Sequence, residues 1–251
     1  MLMIAFEQLK IKYTLMKKST IMITAAVLII LGSLTAFNLK IKQIYLTGSY
    51  KSRFNGMDFT PMNGLENVDI QYANRLGIRI EQGDKEGVWI REDYKKNYVL
   101  AFNQHTLKLD VTKKVKEEDR HFWGDVIIIT RTLKSVQTTA FLEKGQNPTF
   151  YSGTVDLKNF KVLNLDLQVS LGVTVSLYKM QLDTLNAVVG DTKSGNASLF
   201  IASDTKINSA NLNVPGKSLL TLANPTITKA IYNLSDSATV SVNGKLVQLI
   251  K

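Results

Sequence analysis

The chain has 251 residues, a formal net charge of +10, no cysteine, and two histidines, His105 and His121. Without a thiol there is no lipid attachment through cysteine, no disulfide framework and no thiolate metal site, and two histidines cannot build a multi-histidine cage. The positive charge is spread out, with four Lys against Glu7 in residues 1–37, eighteen basic against fourteen acidic groups in 38–150, and nine Lys against six Asp in 151–251; no single stripe collects it, as nucleic-acid binding requires, so no nucleic-acid partner is expected.

Residues 1–18 read as a cytoplasmic stub with Lys10, Lys12, Lys17 and Lys18. Residues 19–37, STIMITAAVLIILGSLTAF, carry no charge and are about long enough, as a helix, to cross the hydrocarbon core of a bilayer. Positive flanks favour the cytoplasmic side, which predicts a transmembrane helix or uncleaved signal anchor, N-terminus inside and the rest outside. A cleaved signal, cut after Leu34-Thr35-Ala36, is the competing reading; it would release a soluble exported form. Residues 38–56 then form a juxtamembrane linker.

From 57 to 150 the pattern predicts a β-rich half. Ile78 and Ile80 alternate with Arg79 and Glu81, Val88 and Ile90 with Trp89 and Arg91, and Leu107, Leu109 and Val111 with Lys108 and Asp110. This period of two marks strands with one buried face. Turns are expected at Gln82-Gly83-Asp84 and at Gly77. Asp125–Ile129 is a continuous apolar run that suits a strand buried on both faces. The tract from Lys113 to Arg120, KKVKEEDR, has both signs and reads as a solvated turn or strand end.

From 151 to 251 the composition changes. Short strands are predicted at Val162–Leu167, Val173–Leu177, Leu185–Val189, Ser198–Ala202, Ala210–Val214, Leu219–Leu222, Ala230–Leu234 and Thr239–Val242. Leu199, Leu219 and Val240 follow one another at intervals of 20 and 21 residues. A period near 20 with two short strands per unit predicts a right-handed β-helix or solenoid, in which each coil buries a narrow apolar file against the next. An antiparallel sandwich is the alternative. The overall fold class is thus all-β, after one N-terminal transmembrane helix.

These residues resemble the GIN domain, an adhesin-type head domain of bacterial envelope proteins and a domain of unknown function. The resemblance is carried by Ile78-Arg79-Ile80-Glu81-Gln82-Gly83-Asp84 followed by Val88-Trp89-Ile90, by Thr106-Leu107-Lys108-Leu109, and by Val126–Ile129 leading into Leu133–Val136. In the second half it is carried by Ser194-Gly195-Asn196-Ala197-Ser198-Leu199, which recurs in weaker form at Pro215–Leu219 and Ser235–Val240. It spans roughly 57–245, with Thr130-Arg131 standing where the family has a proline. The resemblance implies a β-helix-like body, an extracytoplasmic location and no catalytic residues.

The chain holds no GxSxG, HExxH, P-loop or dinucleotide fingerprint, so no enzyme activity and no cofactor are expected. The carboxylates Asp156, Asp166, Asp183, Asp191, Asp204 and Asp236 are expected mostly at turns, capping their own backbone. Trp89, Tyr94, Tyr98, Phe102, Phe122 and Trp123 fall in the first half. Among them Trp123, with His121 and Arg120, is the candidate binding surface, because a polar turn is a costly place to expose a large ring. The function expected is non-catalytic adhesion, scaffolding or surface binding, with an envelope protein or polysaccharide as partner. Self-association through the C-terminal solenoid edge is also expected, because KLVQLI (245–250) has no obvious cap. A carbohydrate-active β-helix enzyme, lyase or glycosidase, is the alternative. An envelope sensor or regulator acting through a partner is the second.

Overall fold

The structure, a computed structural model, describes residues 18–48, 51–118, 122–142, 152–192 and 195–244. It divides into two compact units, residues 1–55 and 56–251.

The first unit holds one helix, α1 (Lys18–Thr47). It runs ten residues past the uncharged stretch, because helix propagation depends on the backbone and continues through Lys40 and Lys42. An 18-residue window of this helix has a mean hydropathy of 2.2 and none of it is buried, so the helix is long and apolar enough to cross a membrane. Its hydroxyls are satisfied within the helix. Thr24 Oγ1 donates to the Thr20 carbonyl at 2.9 Å, Ser33 Oγ to Ile30 at 2.9 Å and Thr35 Oγ1 to Leu31 at 2.8 Å. A hydroxyl bonded in this way costs little in an apolar medium.

The second unit is mostly β. In chain order it holds β1 (Met57–Pro61), β2 (Asn67–Ile70), β3 (Leu76–Gln82), β4 (Gly87–Arg91), β5 (Tyr98–Asn103) and β6 (Thr106–Val111). A short helix α2 (Lys113–Glu117) precedes β7 (Phe122–Thr130) and β8 (Ser135–Thr138). The rest is β9 (Gly153–Lys158), β10 (Lys161–Val169), β11 (Val173–Tyr178), β12 (Gln181–Val189), β13 (Ser198–Ile201), β14 (Lys206–Val214), β15 (Leu219–Leu222), β16 (Thr226–Leu234) and β17 (Thr239–Val242). These make two mixed sheets, not closed on one another. A nine-stranded sheet has the order β1-β4-β7-β3-β9-β11-β13-β15-β17, and an eight-stranded sheet the order β16-β14-β12-β10-β8-β2-β6-β5. Antiparallel pairing is confined to β1–β4, β4–β7 and β5–β6.

From β9 onward the strands alternate between the sheets, and every described pair is parallel. Leu165 pairs with Leu185, which pairs with Ala210, which pairs with Ala230. In the other sheet Val155, Val175, Leu199, Leu220 and Val240 form one column. The offsets are 20 to 25 residues. An antiparallel sandwich is therefore excluded for this half. The inward columns meet in one core, where Val155, Leu165, Leu185, Leu199 and Leu220 are all fully buried. Packing at this density makes each column a file of contacts from coil to coil.

Several expectations are corrected. The tract from Lys113, expected as a solvated turn or strand end, forms the short helix α2, held by i,i+4 pairs Lys113–Glu117 (3.3 Å) and Lys114–Glu118 (3.8 Å) with Val115 buried. Gly77 lies inside β3, beside a register shift between Leu76 and Ile78, rather than in a turn. Strands β1, β2, β5 and β9 were not foreseen. The strand over Val126–Ile129 is buried on both faces, as expected. Gly153, the first residue of β9, packs against the backbone of Ala73 and Asn74. A Cβ there would lie 1.8 Å from the Ala73 carbonyl oxygen, so only glycine fits.

Candidate functional site

Arg120 and His121 lie outside the described residues. Trp123 is the second residue of β7, with only its backbone described. Among the described side chains, the aromatic residues grouped along the first half do not converge. Trp89 stacks on Phe59, with centroids 4.6 Å apart, and Lys85 Nζ sits 4.4 Å from the Phe59 ring centre and 4.5 Å from that of Trp89. This cation–π cap closes the ring pair. Tyr98 belongs to the core, while Tyr94 lies under Arg91 at 5.9 Å and Phe102 is partly exposed on β5.

What the fold does bring together is a groove on the eight-stranded sheet, where β10, β12 and β14 begin. It has a volume of about 430 Å³ and is lined by Lys161, Leu163, Gln181, Leu182, Lys206 and Asn208, together with Val162 and Asp183. The local cause is a repeated irregularity. Lys161, Gln181 and Lys206 are in register, as are Val162, Leu182 and Ile207, but Leu163, Asp183 and Asn208 drop out of the ladder. The chain bends there in each coil, and Leu163 is left 70% exposed. Asn208 Nδ2 donates to Asp183 Oδ1 at 2.7 Å across the bend.

Lys161 and Lys206 stand on strands two apart, so their backbones are roughly 10 Å from each other at the usual strand spacing. Neither has an ion-pair partner among the described residues. The sheet face beside the groove is an array of amides, carboxylates and hydroxyls. Asn186 Nδ2 donates to Asp166 Oδ1 at 2.8 Å, and Ser135 Oγ to Asn67 Oδ1 at 2.8 Å. The surface thus offers two free cations, an apolar floor and many hydrogen-bonding groups, which suits a hydroxyl-rich ligand bearing anions.

No family model matches the chain, and no curated protein matches it. Among the solved structures that resemble it are the following three. A "putative adhesin" from Bacteroides fragilis has 14% identity and a TM-score of 0.49, covering 74% of this chain and 94% of that one. A "putative lipid binding protein" from Parabacteroides distasonis has 16% identity and a TM-score of 0.32, covering 75% and 97%. A "putative adhesin" from Parabacteroides merdae has 9% identity and a TM-score of 0.30, covering 75% and 95%.

Of the six carboxylates of the repeat half, Asp191, Asp204 and Asp236 lie outside the strands, as expected, and three do not. Asp156, Asp166 and Asp183 lie within β9, β10 and β12 rather than at turns, and they bond to side chains. Asp156 meets Lys158 at 3.3 Å, and Asp166 and Asp183 accept from asparagines of the following coil. Asp204 caps backbone, accepting from the Lys179 amide at 2.9 Å. Among the described residues no group of three or more His, Cys, Asp or Glu could hold a metal ion.

One further carboxylate was missed altogether. Glu86 accepts from the Gly64 amide at 2.9 Å and the Arg131 amide at 3.1 Å, with the Thr130 hydroxyl at 3.5 Å. Burial pushes its carboxyl up, but the two amides, the Arg131 charge and the Thr130 hydroxyl together outweigh it and hold it below the ordinary glutamate range. Nothing local in the sequence points to it, since its partners are 22 and 45 residues away.

Proposed function

We propose that the chain is a single-pass envelope protein, anchored by α1 with its N-terminus in the cytoplasm, whose β domain binds a cell-surface partner outside without catalysing a reaction. The observation that carries this reading is the parallel alternation of β9 to β17 at offsets of 20 to 25 residues. Strands paired in this way support a β-helix-like stack of the GIN type. Such a body is rigid and quasi-one-dimensional, and it presents extended faces rather than a closing pocket. The partner we favour is an envelope polysaccharide lying in the groove between Lys161 and Lys206. Trp123, with His121 and Arg120, is a second proposed contact surface.

Two measurements test this. The chain lacks cysteine, so single cysteines can be labelled without background. With a membrane-impermeant maleimide on intact cells, Asp236→Cys should react and Thr14→Cys should not; the reverse pattern would place the domain inside. Full-length protein in detergent should bind acidic envelope polysaccharide, and Lys161→Glu combined with Lys206→Glu should weaken binding about tenfold, some 1.4 kcal/mol. Unchanged binding in both that variant and Trp123→Ala would remove both proposed surfaces.

A further inference from the structure

The strand register shows what the last coil exposes. Tyr232 and Leu234 on β16 occupy the columns of Leu212 and Val214 on β14, and Val240 on β17 occupies that of Leu220 on β15. One coil in, these columns are closed, with Leu212, Val214 and Leu220 all at 0% exposure. In the last coil Tyr232 is 45%, Leu234 43% and Val240 38% exposed, and Ile231 adds a further apolar side chain at 51%. This is a hydrophobic core cut across. Both sheets end at the same place, with β16 and β17 as their terminal strands.

An open sheet edge is a template for another strand, and proteins normally blunt it with charge or proline. The opposite edge of the nine-stranded sheet, β1, carries Asp58 and Pro61. By contrast β16 and β17 together carry one charge, Lys229, and no proline. With Asp236 between them, residues 226–242 have no net charge, so two copies of this end would meet without repulsion.

We propose that this end is covered by a second copy of the chain, C-terminal end against C-terminal end. A two-fold axis normal to the sheets sets β16 antiparallel to its own copy and β17 likewise, which makes the contact isologous and closed. The apolar columns then continue from one copy into the next. The contact does not depend on which ligand the groove takes.

The test uses the full chain in detergent. Its protein mass, measured by sedimentation across a concentration series, should be that of a dimer. Val240→Lys and Leu234→Lys should each weaken dimerisation at least tenfold while retaining the β-sheet circular dichroism signal; two positions guard against one variant failing to fold. Under oxidising conditions Ser241→Cys and Asn233→Cys should give disulfide-linked dimers, and Val99→Cys on β5 should not. A monomer at every concentration, a dimer indifferent to both lysine variants, or cross-linking through Val99→Cys alone would each overturn the proposal.

Discussion

Glu86 gathers three chain segments onto one carboxylate: the loop at Gly64, the end of β7 at Thr130 and Arg131, and its own turn before β4. Its folded pKa is lowered, so between the folded and unfolded values the unfolded chain binds more protons, and stability rises with pH. The contribution is complete above the ordinary glutamate range near about 4.3 and is lost as pH falls through the folded pKa. Glu86→Gln should therefore lower stability at neutral pH by about 1 kcal/mol, lowering Tm by about 2–4 °C. It should also flatten the acid limb of a Tm-against-pH curve. An acid limb unchanged in the variant would rule this out. Neither this network nor the Lys85 cap over Phe59 and Trp89 was legible in the sequence. Both depend on which distant segments the sheet order brings together.

The corners that follow the strands of the nine-stranded sheet repeat. Asn159, Lys179, Asn224 and Gly244 all have positive φ, at 66°, 52°, 59° and 73°, each directly after a strand of the nine-stranded sheet or one residue beyond it. Asparagine and glycine tolerate this conformation and lysine does so poorly. Lys179→Asn should thus raise stability by up to about 1 kcal/mol, read as a higher denaturation midpoint, with the Lys179 amide still free to donate to Asp204. A lower midpoint would show that the lysine stem contributes more than the strain it carries. At this scale the sequence was most informative. The eight predicted strands of the second half coincide with β10 to β17, because each carries its own alternation and each gap its own turn residues. Strands β1, β2, β5 and β9 escaped, though β5 and β9 are longer than the predicted β13, β15 and β17. Val68 and Ile70 are the only inward pair of β2, too few to register as a period.

For the domain as a whole, the columns make position along the stack matter as much as residue type. Leu212 is enclosed on both sides and Leu234 on one. Leu212→Ala should cost about 3 kcal/mol and Leu234→Ala about 1, because the cavity term arises only where the surroundings close around it. Equal losses in denaturant unfolding would contradict a stack with one open end. The end of the apolar helix was not legible, since charge marks the limit of apolarity and not of helix. The groove was not legible, because its lysines lie 45 residues apart and meet only through strand register. That same register constrains how the chain could ever change length. Adding or removing a few residues inside a strand would throw every later column out of line. A whole repeat of two strands, one from each sheet, could be inserted or lost and leave the pairs on either side in register.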